Sequence, residues 1–220
     1  MMNILKTLSL ACLICLAGAI AIAQTKGPSK NSPHSAMDPD KLLSLGDFYY
    51  RNNDISDAAD RYYKQAIRSA PGSQTAGYAQ YNRGSYWFRK FYVVKEQYSK
   101  EDHAALSEAE GQYYDFIDKF ARQTKTTGLL ADAEFYLALV YLQQGKREYA
   151  IGWLNRMLAE AAEADTSVYV YKVVWSSKPG DIVDRNVQAA ELATYARKAI
   201  EKGGDPDAVV LDIKRWCQRQ

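Results

Sequence analysis

The side chains best suited to acid–base chemistry near neutral pH are few in this sequence. It has two histidines, His34 and His103, which are too few for a histidine-based metal site. His103 follows two acidic residues in a polar stretch, where a solvated surface histidine is expected rather than a general base. Glu108 and Glu110 are two residues apart on a predicted helix, so their side chains point in different directions and do not form a glycosidase pair. Acid–base catalysis is therefore not predicted.

Motifs for phosphate binding, nucleophilic catalysis and metal binding are also missing from the sequence. Gly203 and Gly204 precede a predicted helix but lack the lysine and the spacing of a P-loop. Neither a G-x-S-x-G nor an H-E-x-x-H pattern occurs. The pair Cys12 and Cys15 has C-x-x-C spacing but lies in the N-terminal apolar segment. We therefore expect a protein that is not an enzyme and that has no cofactor or metal.

Residues 1–23 are typical of an export signal. Lys6 supplies a positive charge, residues 8–22 form an apolar run, and a small-x-small cleavage pattern ends at Ala23. We expect cleavage after Ala23, no transmembrane segment in the mature chain, and a location in the periplasm or outside the cell. Two alternatives stay open, namely a retained membrane anchor and lipid modification at Cys12 or Cys15.

Composition and charge point to an ordinary globular protein without internal disulfides. The 220 residues are 47% hydrophobic and 25% charged, with a net charge of +2. So balanced a charge gives no electrostatic reason to expect binding to nucleic acid or to an anionic membrane. Signal cleavage leaves a single cysteine, Cys217. A buried, inert thiol is expected there, and an intermolecular disulfide is the alternative.

Helical periodicity dominates between two similar start signals. Asp38-Pro39-Asp40 and Asp205-Pro206-Asp207 each combine an N-cap aspartate, a proline at the first helical position and an acid in the first turn. Residues 24–37 are polar and are predicted to be a flexible linker. Apolar residues at helical spacing then predict antiparallel helix pairs. The predicted helices cover residues 42–49, 59–67, 77–98, 106–120, 130–143, 149–162, 184–202 and 208–218.

Residues 168–175 interrupt the helical pattern. They are rich in β-branched and aromatic residues, a composition that favours a strand, with a helix imposed by packing as the alternative. The next residues could turn the chain back toward Ile182 and Val183 in a short hairpin. We therefore predict an irregular or short β-hairpin segment over 163–183, between repeats at 38–162 and a C-terminal helix pair at 184–220.

A short pattern recurs in three predicted helices. A small residue is followed three positions later by an aromatic one in Leu45-Gly46-x-x-Tyr49, Arg83-Gly84-x-x-Trp87 and Leu137-Ala138-x-x-Tyr141. The small residue allows a neighbouring helix to approach, and the aromatic ring fills the gap one turn later. With their partner helices, these segments resemble the tetratricopeptide repeat, a helix–turn–helix unit of about 34 residues.

The resemblance implies an all-α fold, a right-handed solenoid of three to four antiparallel helix pairs in which each pair buries its apolar faces only against its neighbours. Residues 113–120 and 131–136 are similar in texture to exported bacterial members of the family. Those members include the repeat lipoprotein of the outer-membrane barrel assembly machinery and the periplasmic coordinator of the Tol–Pal system. They imply an exported scaffold or adaptor that binds a segment of another envelope protein. A homodimer is left open.

In this family the first helix of each pair lines the concave face, which places a protein-binding groove on the first helices of the first two units. Arginines and an aspartate among tyrosines are suited to hold the backbone and the carboxylates of an extended peptide. Core or solvated positions are the alternative for these side chains. The predicted groove residues are Asp47, Tyr50, Arg51, Tyr78, Tyr81, Ser85 and Arg89.

The abundance of tyrosine suggests an alternative from a different class. The sequence has 17 tyrosines against six phenylalanines, and the rings between Tyr78 and Tyr92 point around most of their predicted helix. We expect some of these rings to face a groove, another subunit or a ligand. The alternative function is a glycan- or cell-wall-binding module in which exposed tyrosines stack on sugars. Coplanar exposed rings flanked by carboxylates and amides would favour it.

Overall fold

The computed structural model describes residues 37–52, 55–124, 128–163, 169–170, 173–174, 182–183 and 187–219. In this part of the chain the fold is all-α, as predicted from the helical periodicity. The predicted signal and most of the predicted linker lie outside the described residues. The helices are α1 (Pro39–Arg51), α2 (Ala58–Ser69), α3 (Gln74–Tyr98), α4 (His103–Thr124), α5 (Leu129–Gln143), α6 (Arg147–Glu163), α7 (Ala189–Lys202) and α8 (Pro206–Arg219).

The first and last helices begin where the sequence predicts. Asp38 caps α1, because its carboxylate accepts a hydrogen bond of 3.0 Å from the backbone N–H of Asp40. Asp205 caps α8 in the same way, accepting from the N–H groups of Asp207 at 3.0 Å and Ala208 at 3.2 Å. Both start signals are therefore confirmed, and each satisfies backbone donors that a helix leaves unpaired.

Among the described residues between α6 and α7 there are four two-residue strands. They are β1 (Tyr169–Val170), β2 (Val173–Val174), β3 (Ile182–Val183) and β4 (Val187–Gln188). The pairs β2–β3 and β1–β4 are both antiparallel. The helix predicted from residue 184 begins at Ala189 instead, because Val187 and Gln188 are extended and pair with β1.

Helices that follow one another in the chain pack together, and α1, α3, α5 and α7 also contact in series. Successive helices are antiparallel, as α2 and α3 illustrate. Asp57, the residue before α2, forms a hydrogen bond with Tyr86 of α3. Asp60, one turn further along α2, forms one with Arg83, which comes before Tyr86 in α3.

Helices α1 and α3 are parallel, as are α3 and α5, and the two contacts within each of these combinations have the same separation in sequence. Asp40 contacts Thr75 at 2.6 Å and Asp47 contacts Asn82 at 2.9 Å, and each pair is separated by 35 residues. Between α3 and α5 the separation is 51 residues, both for Tyr81 with Asp132 and for Tyr92 with Gln143. The larger separation accommodates the long helices α3 and α4.

Two glycines in the recurring pattern allow the close helix approach predicted from the sequence. A Cβ atom at Gly46 would come within 2.4 Å of the Tyr63 ring, and one at Gly84 within 2.7 Å of the Tyr113 ring. In each case the tyrosine hydroxyl contacts the side chain that follows the glycine. These contacts join Tyr63 to Asp47 at 2.9 Å and Tyr113 to Ser85 at 3.2 Å.

The first turn of α8 is attached to two helices in the middle of the chain. The Asp207 carboxylate contacts Lys95 Nζ of α3 at 2.7 Å and Gln143 Nε2 of α5 at 3.0 Å. These polar contacts join α8 to two helices that come much earlier in the chain.

Helix α5 lies at the centre of the core. Every residue from Leu130 to Leu142 is buried, since α3, α4, α6, α7, α8 and β1 all contact this helix. Within the described ranges, none of the helices has both the length and the apolarity that crossing a bilayer requires.

Candidate functional site

The seven predicted groove residues lie on two parallel helices that pack side by side. Asp47, Tyr50 and Arg51 are on α1, and the other four are on α3. The structure joins the two groups through Arg89, which is buried. Its Nη1 donates to the backbone carbonyl of Tyr50, and its guanidinium lies over the Tyr50 ring, 4.5 Å from the ring centroid. Arg89 therefore connects α3 to α1.

Asp47 is half-buried and also forms hydrogen bonds to neighbouring helices. Its Oδ1 accepts hydrogen bonds from the Tyr63 hydroxyl and from Asn82 Nδ2, both at 2.9 Å. Burial raises the pKa of the Asp47 carboxyl, while these bonds and the charge of Arg51 act in the opposite direction. The carboxylate therefore holds α1, α2 and α3 together at one point.

Tyr81 is buried and donates its hydroxyl to Oδ2 of Asp132 on α5. Asp132 Oδ1 has no hydrogen-bond partner among the described residues. Burial raises the pKa of the Asp132 carboxyl to about 7, although the bond from Tyr81 lowers it. The pKa of Tyr81 lies well above its usual value, first because of burial and then because of the Asp132 charge. Its hydroxyl therefore stays protonated and acts as a donor.

The remaining predicted residues differ in exposure. Ser85 is half-buried, and its Oγ is 3.2 Å from the Tyr113 hydroxyl. Tyr78 is half-buried, and its hydroxyl accepts from Gln74 Nε2 at 3.2 Å. Arg51 is exposed at the end of α1. Of the seven, Tyr81 and Arg89 are interior side chains, whereas Tyr50, Arg51 and Tyr78 retain accessible surface.

Most of the aromatic cluster in α3 is covered by its neighbours. Tyr86, Phe88, Phe91 and Tyr92 are buried against α1, α2, α4 and α5. Tyr86 donates its hydroxyl to Asp57 at 2.9 Å. The cluster is therefore mainly a core between helices, and Tyr78 is the ring that lies beside the predicted groove.

Sequence reasoning missed Asp132 as part of this site. Its signal was an acid in the first turn of a segment that is otherwise mostly apolar. No group of three or more histidine, cysteine or acidic side chains suited to a metal ion occurs among the described residues. The side chains on this face offer hydrogen-bond donors, acceptors and ring surfaces, which are the means by which proteins bind other molecules.

Comparison with known proteins gave no match to a family model, to a curated protein or to a solved structure. The functional proposal therefore rests on the residues and their geometry. In that geometry Arg89 joins the parallel helices α1 and α3 directly, and the bond from Tyr81 to Asp132 joins α3 to α5.

Proposed function

We propose that the chain is an exported, non-enzymatic scaffold of the tetratricopeptide-repeat type. In this proposal the helix pairs form a right-handed solenoid, and the face shared by α1 and α3 binds a segment of another envelope protein. Export rests on residues 1–23, whose sequence is typical of a cleaved signal.

The observation that carries the proposal is the constant register between α1 and α3. The 35-residue separation of Asp40 from Thr75 and of Asp47 from Asn82 is close to the family period of about 34 residues. Parallel first helices related by one repeat are the arrangement that gives such arrays a continuous binding face.

The accessible side chains of this face suit an extended peptide. Arg51 is exposed and offers a guanidinium to a peptide carboxylate or carbonyl. Tyr50 and Tyr78 are only partly buried, and amphipathic tyrosine rings are enriched where proteins bind one another. The contact between Arg89 and Tyr50 holds the Tyr50 ring in place, which lowers the entropy lost on binding.

The test is capture of an envelope protein by residues 24–220 and by two matched double variants. Arg51→Glu with Tyr78→Ala alters the proposed face. Arg68→Glu with Tyr98→Ala makes the same changes in charge and ring area on α2 and at the end of α3, where both side chains are exposed.

Loss of capture in the first variant alone, with helicity retained in both, supports the proposal. Equal capture by the two variants would place the binding site elsewhere. Tyr81 and Arg89 are unsuitable for this test, because both are buried and their replacement disturbs folding as well.

A further inference from the structure

A notch on the outer side of α6 is separate from the face described above. It has a volume of about 420 Å³. Its floor is Gly152, since a Cβ atom there would meet no other heavy atom within 4 Å. The residues that line it are Glu148, Tyr149, Gly152, Trp153 and Arg156.

One wall of the notch is an exposed aromatic ring in a fixed position. Tyr149 is 63% exposed, and its ring stacks on that of Tyr141 with centroids 5.4 Å apart and 28° between the planes. Tyr141 is held in turn, because its hydroxyl donates to Glu110 at 2.8 Å and lies 2.9 Å from the Tyr114 hydroxyl. Tyr149 thus has one ring face supported and the other open.

The other end of the notch, two helical turns along α6, carries an arginine whose position is also fixed. Arg156 Nε lies 2.8 Å from the fully buried carboxylate of Glu134 and 3.2 Å from Glu160. Its guanidinium lies over the Trp153 ring, 5.1 Å from the ring centroid. A buried carboxylate requires such a partner, so Glu134 anchors the guanidinium at the edge of the notch. Glu148, the residue before Tyr149, supplies an exposed carboxylate at the first end.

We propose that this notch binds an oligosaccharide. A pyranose ring with equatorial hydroxyls has a flat face of C–H groups, which packs on the open face of Tyr149. Its hydroxyls donate to the Glu148 carboxylate and accept from the Arg156 guanidinium, so both hydrogen-bonding roles are met. Binding here goes beyond the scaffold function, because it uses a different helix and a different face.

The structure of the notch requires an occupant that is bound through side chains. All five lining residues lie within α6, where the main-chain groups bond one another. A saccharide suits such a surface, because its hydroxyl groups both donate and accept hydrogen bonds and need only side-chain partners.

The test is titration calorimetry of residues 24–220 with two probes, cellotetraose and its N-acetylated counterpart chitotetraose. Tyr149→Ala removes the platform, and Gly152→Leu fills the notch from a position where an added Cβ atom meets no heavy atom within 4 Å. The matched controls are Tyr98→Ala, a ring that is 65% exposed elsewhere, and Gly111→Leu, a helical glycine with equally open surroundings.

We expect saturable binding of at least one probe, weakened about tenfold or more by each of the two notch substitutions and unchanged by the two controls. The probe that binds shows whether the acetamido group is required. Absence of saturable binding to both probes, or equal effects of notch and control substitutions, would overturn the proposal. Loss of envelope-protein capture in Tyr149→Ala without binding of either sugar would also overturn it and would identify the notch as a protein contact.

Discussion

The ring of Tyr113 lies directly on Gly84, so that a Cβ atom at the glycine would come within 2.7 Å of two ring carbons. Tyr63 lies on Gly46 in the same way. Both tyrosines are fully buried. A planar ring against a bare backbone therefore sets the distance between the two helices in each of the first two pairs.

Replacing Gly84 should separate α3 from α4. We expect Gly84→Ala to lower the free energy of unfolding by about 1–3 kcal/mol, because the new methyl overlaps the Tyr113 ring. Gly84→Asp should be worse and should disrupt the second helix pair, since it also buries a charge beside that ring. Circular dichroism during thermal unfolding measures both effects.

Gly111 supplies the control for this prediction. It lies in α4, is exposed, and a Cβ atom there would meet nothing within 4 Å. Gly111→Ala should therefore be neutral or raise the free energy of unfolding by about 0.5–1 kcal/mol, because alanine reduces the backbone entropy of the unfolded chain and favours the helix. Unchanged helicity and melting temperature in Gly84→Asp would contradict the proposed role of Gly84.

Asp132 should make stability depend on pH. Burial raises the pKa of its carboxyl from 3.8 to about 7 in the folded protein. Between these values the folded chain binds more protons than the unfolded one. The stability contribution is therefore fully present below the unfolded pKa and is lost as pH rises to about 7, with a slope of at most about 1.4 kcal/mol per pH unit.

Urea unfolding of the wild type and of Asp132→Asn at about pH 5 and about pH 7.5 measures this contribution. The wild type should gain stability relative to the variant at the lower pH, because the amide does not titrate. Asp118→Asn is the matched control, since it makes the same substitution at an exposed position. If the free energy of unfolding changed equally between the two pH values in the wild type and in Asp132→Asn, the carboxyl of Asp132 would have the same pKa in the folded and unfolded states.

Tyr81→Phe should destabilise the protein, because it removes the hydroxyl that donates to Asp132. We expect the free energy of unfolding to fall by about 1–3 kcal/mol. The decrease should be larger at pH 8 than at pH 5, because a hydrogen bond to an ionised carboxylate is stronger than one to a protonated carboxyl group. A double-mutant cycle with Asp132→Asn measures the coupling between the two side chains. Tyr98→Phe, at an exposed position, should have no effect. A coupling energy near zero would contradict the interaction.

Cys217 should be an unreactive thiol. The structure confirms that it is buried, and burial raises the pKa of its thiol to about 11. Alkylation by iodoacetamide should be at least about a hundredfold slower in the native protein than in urea. Gln218→Cys places a thiol at the adjacent exposed position and should react rapidly in both conditions. Rapid native labelling of Cys217, or a disulfide-linked dimer under mild oxidation, would contradict this prediction.

The sequence predicts those features of the helices that depend on residues close together in the chain. Asp38 and Asp205 cap their helices as expected, and Gly46 and Gly84 allow close approach as the recurring pattern indicates. The late start of α7 could not be predicted, because it depends on the pairing of Val187 and Gln188 with the distant β1.

For the candidate site, the sequence predicts which side chains share a helix face but not how deeply they are buried. Helical spacing places Tyr81 and Arg89 on one face of α3. Their burial depends on contacts from Asp132 on α5 and Tyr50 on α1, which helical spacing within α3 does not contain. The exposed notch on α6 is marked in the sequence only by a glycine three residues after a tyrosine, a pattern too common to interpret.

The contacts of Asp207 with Lys95 and Gln143 have a mechanical consequence. An array whose units contact only their neighbours frays progressively from its ends when heated or pulled. Here α8 cannot detach without breaking contacts to α3 and α5, so a force on the C-terminus is transmitted to the middle of the fold. The long-range connection also requires the last helix to return to helices synthesised much earlier, which raises contact order and slows folding. The protein should therefore resist stepwise unzipping and unfold cooperatively.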